Sequence, residues 1–142
     1  MIVSREVTTA TEIGKVFAYL SDFETTTRWD PGTVRTTRVD GDGGVGTVYR
    51  NTSRFAGRTT DLTYVVTRVR APELIQLRGE NATVVAVDTM ALAEIPDGTR
   101  VTYRAEFTFK GAWRFVAPLL APAFRRLGDQ AEAGMRTALA EL

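Results

Sequence analysis

From residue 34 to residue 110 the chain alternates with a period of two, and turn signals interrupt that alternation at short intervals. Thr, Val, Tyr and Arg recur, broken by "DGDGG", "FAG", "AP" and "PDG". The pattern predicts strands over 34–40, 45–54, 58–70, 73–80, 84–95 and 99–109. Connections this short leave no room for crossover helices, so the strands are expected to form an antiparallel meander. The last strand alternates most cleanly. Val101, Tyr103, Ala105, Phe107 and Phe109 share one face, and Arg100, Thr102, Arg104, Glu106 and Thr108 share the other. In the strand over 58–70, Leu62, Tyr64 and Val66 oppose Asp61, Thr63 and Thr67. A sheet with one dry face must be covered by something.

The two ends of the chain supply the cover. Residues 2–8 read as a short strand. "TATE" at 9–12 fits a capping box with Thr9 as N-cap and Glu12 reaching back, and Ile13, Val16, Phe17 and Leu20 then predict an amphipathic helix over 10–21. A short helical turn follows within 22–33 and ends at Asp30-Pro31-Gly32. At the other end, Val116, Leu119 or Leu120, Phe124, Leu127, Ala131, Met135, Ala138 and Leu142 recur every three or four residues, which predicts a long helix lying across the sheet. Its first part, 112–124, has Arg114 as its one polar residue and is interrupted by Pro118 and Pro122, so a kink is expected there. Three uses of 113–124 stay open: ordinary packing, a lid, or a contact with a partner or a membrane surface.

Residues 41–46, "GDGGVG", match the glycine spacing of a dinucleotide-binding loop. That loop needs a helix after it, whose N-terminus holds the pyrophosphate. "TVYRNTSRF" follows instead and reads as strand, and Asp40 and Asp42 would repel phosphate. The stretch is expected to be a hairpin loop. As such it resembles the glycine-rich hairpin of the birch-pollen-allergen family. The opening "V..TATEIGKVFAYLSDFETTTRWDPG" and the late "DGTRVTYRAEFTFKG" extend that similarity to the START-like superfamily, also called SRPBCC or polyketide cyclase/dehydratase-like, over essentially the whole chain. The resemblance implies one START-like domain over 1–142 with the α+β helix-grip fold. In that fold a curved antiparallel sheet of about seven strands and two short N-terminal helices enclose, with a long C-terminal helix, an apolar cavity. It further implies a hydrophobic small-molecule ligand such as a lipid, polyketide or aromatic metabolite.

Several chemistries are excluded by residues the chain lacks. With no His and no Cys, thiol nucleophiles, zinc thiolate sites and His-based triads are absent. A net charge of +1 and no basic patch argue against nucleic acid. "DGDGG" offers too few ligands for a calcium loop, so neither metal nor cofactor is expected. No apolar run is long enough to span a bilayer, no stable membrane insertion is expected, and the start lacks a signal-peptide pattern, which makes the cytoplasm the expected compartment.

The candidate ligand-binding residues are Trp29, Leu62, Tyr64, Leu77, Met90, Tyr103, Phe107, Phe115, Leu119, Leu120 and Phe124. Each could equally pack as core, but together they suit a mostly apolar pocket with a few polar anchors, among them the phenols of Tyr64 and Tyr103. Asp88 shares parity with Val84, Met90 and Leu92, and a buried Asp there would act as acid or base. The other parity of that strand is apolar too, and the expectation is a solvent-facing Asp88. Arg50 and Arg78 are expected to pair with carboxylates on the wet face. Three functions follow: ligand binding or transport; an aromatase/cyclase-type enzyme, which an inward Asp88, Arg50 or Arg78 beside the phenols would favour; and an interaction module or homodimer using 113–124.

Overall fold

The computed structural model describes residues 1–142. Strand β1 (Ile2–Thr9) leads into helix α1 (Ile13–Ser21), a 3₁₀ turn (Phe23–Thr25) and the short helix α2 (Thr26–Trp29). Six strands follow: β2 (Thr33–Asp40), β3 (Val48–Phe55), β4 (Arg58–Arg70), β5 (Leu74–Glu80), β6 (Val84–Ile95) and β7 (Gly98–Phe109). The chain ends with α3 (Trp113–Val116), a 3₁₀ turn (Ala117–Leu120) and the long helix α4 (Ala121–Ala140). All strands pair antiparallel in one curved sheet of order β1-β7-β6-β5-β4-β3-β2. The meander therefore runs as its turn signals predict, and β1 closes it by pairing with β7.

Alternation decides what each strand buries. On β7, Val101, Tyr103 and Ala105 are buried and Arg100 and Arg104 are exposed; on β4, Leu62, Tyr64 and Val66 are buried. This concave face meets α4, whose Phe124, Ala131, Met135 and Leu139 are buried along one stripe. Phe124 is the aromatic anchor, with ring centroids 4.4 Å from Phe55 and 4.7 Å from Phe107. Close approach is built in at two glycines of α4. A Cβ at Gly128 would stand 2.5 Å from Val3, and one at Gly134 would stand 2.0 Å from the carbonyl oxygen of Trp29.

The first helix starts later than its capping pattern suggests. Glu12, not Thr9, is the N-cap, and its carboxylate accepts from the backbone N–H groups of Gly14 (3.2 Å) and Lys15 (2.8 Å). Thr9 is held back by its pairing with Thr99 and remains the last residue of β1. The loop around Gly41–Gly46 is the β2–β3 hairpin connection, as expected. Gly41, Gly43 and Gly46 all have positive φ, and the Gly43 N–H donates to Thr47 Oγ1 at 2.8 Å. No helix follows it. No helix of the molecule is long and apolar enough to cross a membrane.

Candidate functional site

Between the concave face of the sheet and the C-terminal helical segment lies a cavity of about 490 Å³. Its walls are mostly apolar. Leu62 and Tyr64 of β4, Tyr103, Phe107 and Phe109 of β7, and Leu120 and Phe124 of the C-terminal segment all line it. The mouth lies between the β3–β4 turn, with Phe55 and Ala56, and the α3 segment, with Trp113 and Val116. Of the residues singled out in the sequence, Trp29, Leu62, Tyr64, Tyr103, Phe107, Leu120 and Phe124 line this space together.

The other four do not. Leu77 and Met90 are fully buried core residues beside the cavity and not on its surface. Phe115 and Leu119 are 71% and 78% exposed and point away from it. Along the C-terminal segment Val116, Leu120 and Phe124 line the cavity at a spacing of four, so of the alternatives Leu119 and Leu120 it is Leu120 that belongs to the apolar stripe. Val116 and Leu120 end up facing the cavity, and Phe115 and Leu119 face out.

Asp88 corrects the sequence reading. It is buried, 6% exposed, and sits on the cavity wall. β6 pairs with β7 residue by residue from Val84↔Phe109 to Ile95↔Gly98 with no bulge. Parity is therefore never swapped, and Asp88 faces inward with Val84, Ala86, Met90 and Leu92. Arg50 and Arg78 face outward. Arg78 donates to Glu80 at 2.9 Å, and Lys110 also reaches that carboxylate.

The polar end of the cavity gathers Asp88, Tyr103, Tyr64, Trp29 and Asp30. Trp29 packs edge-on against Tyr103 with centroids 5.6 Å apart, and its buried indole N–H has no hydrogen-bond partner. Tyr64 lies flat on β5 because residue 79 is glycine; a Cβ there would stand 2.6 Å from the ring. Asp30 Oδ1 accepts from the Gly32 N–H and its Oδ2 from the Thr33 hydroxyl, each at 3.0 Å. Asp88 has no such backbone support. Burial first, and then the nearby Asp30 charge, push its carboxyl up to about 7, against a hydrogen bond from the Tyr103 phenol that pulls it down. Burial also raises the Asp30 carboxyl, against the pull of its two hydrogen bonds. Burial holds the Tyr64 and Tyr103 phenols well above their ordinary value, and the charge of Asp88 adds to it. Two carboxyl groups and two protonated phenols thus share one buried site, in which Asp88 is the group that titrates near neutrality.

Beside this cluster a hydrogen-bonded chain stiffens the wall. Ser53 donates to Asn51 (2.7 Å), Asn51 to Thr36 (2.9 Å), and the Thr36 hydroxyl meets that of Thr26 at 2.7 Å. Sequence reading passed over Asp30, Asn51 and Ser53. Asp30 sits in an Asp-Pro-Gly turn and reads as turn chemistry. Asn51 and Ser53 share the parity of buried Tyr49, a signal that polar residues in a short strand conceal.

A family model described as "Polyketide cyclase / dehydrase and lipid transport" matches residues 1–140. Among solved structures, the Zhui aromatase/cyclase from Streptomyces sp. R1128 is similar, with a TM-score of 0.83 at 17% identity over 99% of this chain and 93% of that one. A START superfamily protein from Mycobacterium smegmatis gives a TM-score of 0.76 at 15% identity, over 99% of this chain and 97% of that one. Ara h 8.0201 gives 0.63 at 16% identity, over 96% of this chain and 98% of that one. At these identities the likeness establishes the helix-grip fold. No curated protein matches the sequence.

Proposed function

The chain belongs to the polyketide cyclase/dehydrase and lipid transport family, and on that premise we propose that it binds one hydrophobic small molecule, apolar body against the sheet and polar end toward Asp88, Tyr64 and Tyr103. The observation that carries this reading is the cavity itself. Its volume of about 490 Å³ suits a ligand of small-metabolite size, and its mostly apolar wall carries a few polar anchors, among them Asp88, Tyr64 and Tyr103. A packed core would have filled that space, because interiors are close-packed and tolerate few voids larger than a water molecule. Native mass spectrometry of the freshly purified protein, followed by denaturing extraction, tests it. A lipid or aromatic metabolite near one per chain is expected. An empty protein that also takes up no such compound on incubation would overturn the reading.

The inward Asp88 favours a second reading, a cyclase or dehydratase. A carboxyl near neutrality beside two phenols can act as both acid and base. Ionised Asp88 would take a proton from the carbon next to a ligand ketone, and Tyr103 would donate a hydrogen bond to the enolate oxygen that forms. In an aldol closure that carbon attacks a second carbonyl, and Asp88 returns the proton to the alkoxide that forms. In the dehydration that follows, Asp88 takes the second proton from the same carbon and passes it to the hydroxyl, which leaves as water. Proximity in the cavity supplies a further share of the rate. The probe is deuterium uptake into the methyl group of 2-acetonaphthone in heavy water. The protein is expected to accelerate exchange, and Asp88→Asn to lose at least about tenfold of it, consistent with the usual worth of a general base. Exchange at the uncatalysed rate would remove this reading and leave binding in place.

A further inference from the structure

Resting on the ligand-binding reading above, we propose that the cavity selects hydrophobic amines, binding the protonated nitrogen at its floor between Asp88 and Asp30. The argument is an inventory of what the floor presents. Its formal charge comes from two carboxyl groups, and the polar groups around them, the Tyr64 and Tyr103 hydroxyls, the Trp29 indole N–H and the side chains of Thr26, Thr33, Asn51 and Ser53, are neutral. Cations on the cavity lining are confined to Arg54 and Arg58, both exposed beside the β3–β4 turn at the mouth. Lys110, just after the end of β7 and partly exposed, is engaged with Glu80 and the Asn81 carbonyl and is not part of the cavity lining.

Asp88 itself points to a missing partner. It is more than nine-tenths buried, faces the cavity and meets no cation; the Tyr103 phenol is its one hydrogen-bond partner and carries no charge to balance it. Buried carboxylates are ordinarily paired or hydrogen-bonded, because leaving one alone is costly. An ammonium group would supply a charge partner by donating to Asp88, and the Asp30 charge nearby would add to its attraction. The rings of Trp29, Tyr64 and Tyr103 present further favourable surface to a cation. The same floor works against an anionic polar end. A carboxylate ligand would meet like charge. Binding an ammonium would also draw Asp88 into its ionised form and release the proton it holds at neutral pH.

The test uses three ligands with one skeleton: 2-naphthylmethylamine, 2-naphthalenemethanol and 2-naphthoic acid. Binding to the full chain is measured by calorimetry near pH 7 in two buffers of different ionisation enthalpy. The amine is expected to bind at least about tenfold more tightly than either of the others. Its binding should release protons, whereas that of the alcohol should not. Asp88→Asn should reduce the amine preference, read as the ratio of amine to alcohol affinity within the same variant, to about twofold. Asp30→Asn, which leaves Asp88 intact, should lower it part of the way. Alcohol or acid binding as tightly as the amine would overturn the inference and spare the cavity reading. So would an amine preference that survives in both variants. Failure of all three ligands to bind would overturn both.

Discussion

At the scale of the residue, Asp88 governs how this protein responds to pH. The folded chain holds the proton on Asp88 up to about pH 7, whereas the unfolded chain releases it near the ordinary value of 3.8. Between those values the native state binds more protons than the unfolded state, so stability falls as pH rises. Asp30, also raised by burial, adds to the same trend. Thermal unfolding of the wild type should therefore show a lower midpoint at pH 8 than at pH 5. Asp88→Asn, neutral throughout, should flatten most of that decline and be the more stable protein at pH 8, on the order of 2–4 kcal/mol. A wild type whose midpoint rises across that range would show that Asp88 is not held in a dry site. The same residue marks where sequence reading ran out. Val85 and Val87 make the outer parity of β6 as apolar as the inner one, so alternation alone cannot say which way Asp88 faces. Residue-by-residue pairing with β7 decides it.

At the scale of the element, contact between α4 and α2 depends on one missing side chain. An Ala in place of Gly in a helix ordinarily stabilises by up to about 1 kcal/mol. At Gly134 the sign reverses, because the added Cβ would stand 2.0 Å from a backbone oxygen, that of Trp29, which cannot rotate away. Gly134→Ala is expected to destabilise by roughly 2–3 kcal/mol, read as a lower denaturant midpoint. Trp29 should move with it, seen as a changed indole emission. An unchanged midpoint and spectrum would mean that the two helices are less tightly apposed than described. The elements themselves were legible to different degrees. β4 and β7 follow simple alternation and were plain. The start of α1 was not, since a Thr-x-x-Glu spacing fits a cap at Thr9 and Glu12 can also cap on its own. Pairing of β1 with β7 as far as Thr9 settles it. Which of Leu119 and Leu120 faces inward is open in the sequence because both are apolar neighbours, and in the structure Leu120 lines the cavity while Leu119 is exposed.

At the scale of the whole molecule, the order of elements was readable because each turn signal falls between two alternating runs. The cavity was readable only through resemblance. A stripe of apolar residues looks the same whether it packs tightly or lines a void, which is why Leu77 and Met90 were grouped with Tyr64 and Tyr103. The difference lies in where α4 rests on the sheet, a property of the assembled layers and not of any one segment. The pairing of β1 with β7 has a further consequence. Ile2 faces Glu106 and Thr9 faces Thr99, so the first strand has no neighbour in the sheet until the last has formed. Every other pairing joins strands adjacent in the chain. During synthesis on the ribosome, residues 2–9 must wait, unpaired, for nearly the whole sequence to emerge. Closing so long a loop before its contacts are gained is the step that slows folding most. Until it is made, the dry face of the meander and a free strand edge are open together, and that half-built sheet is where this chain is most exposed to aggregation.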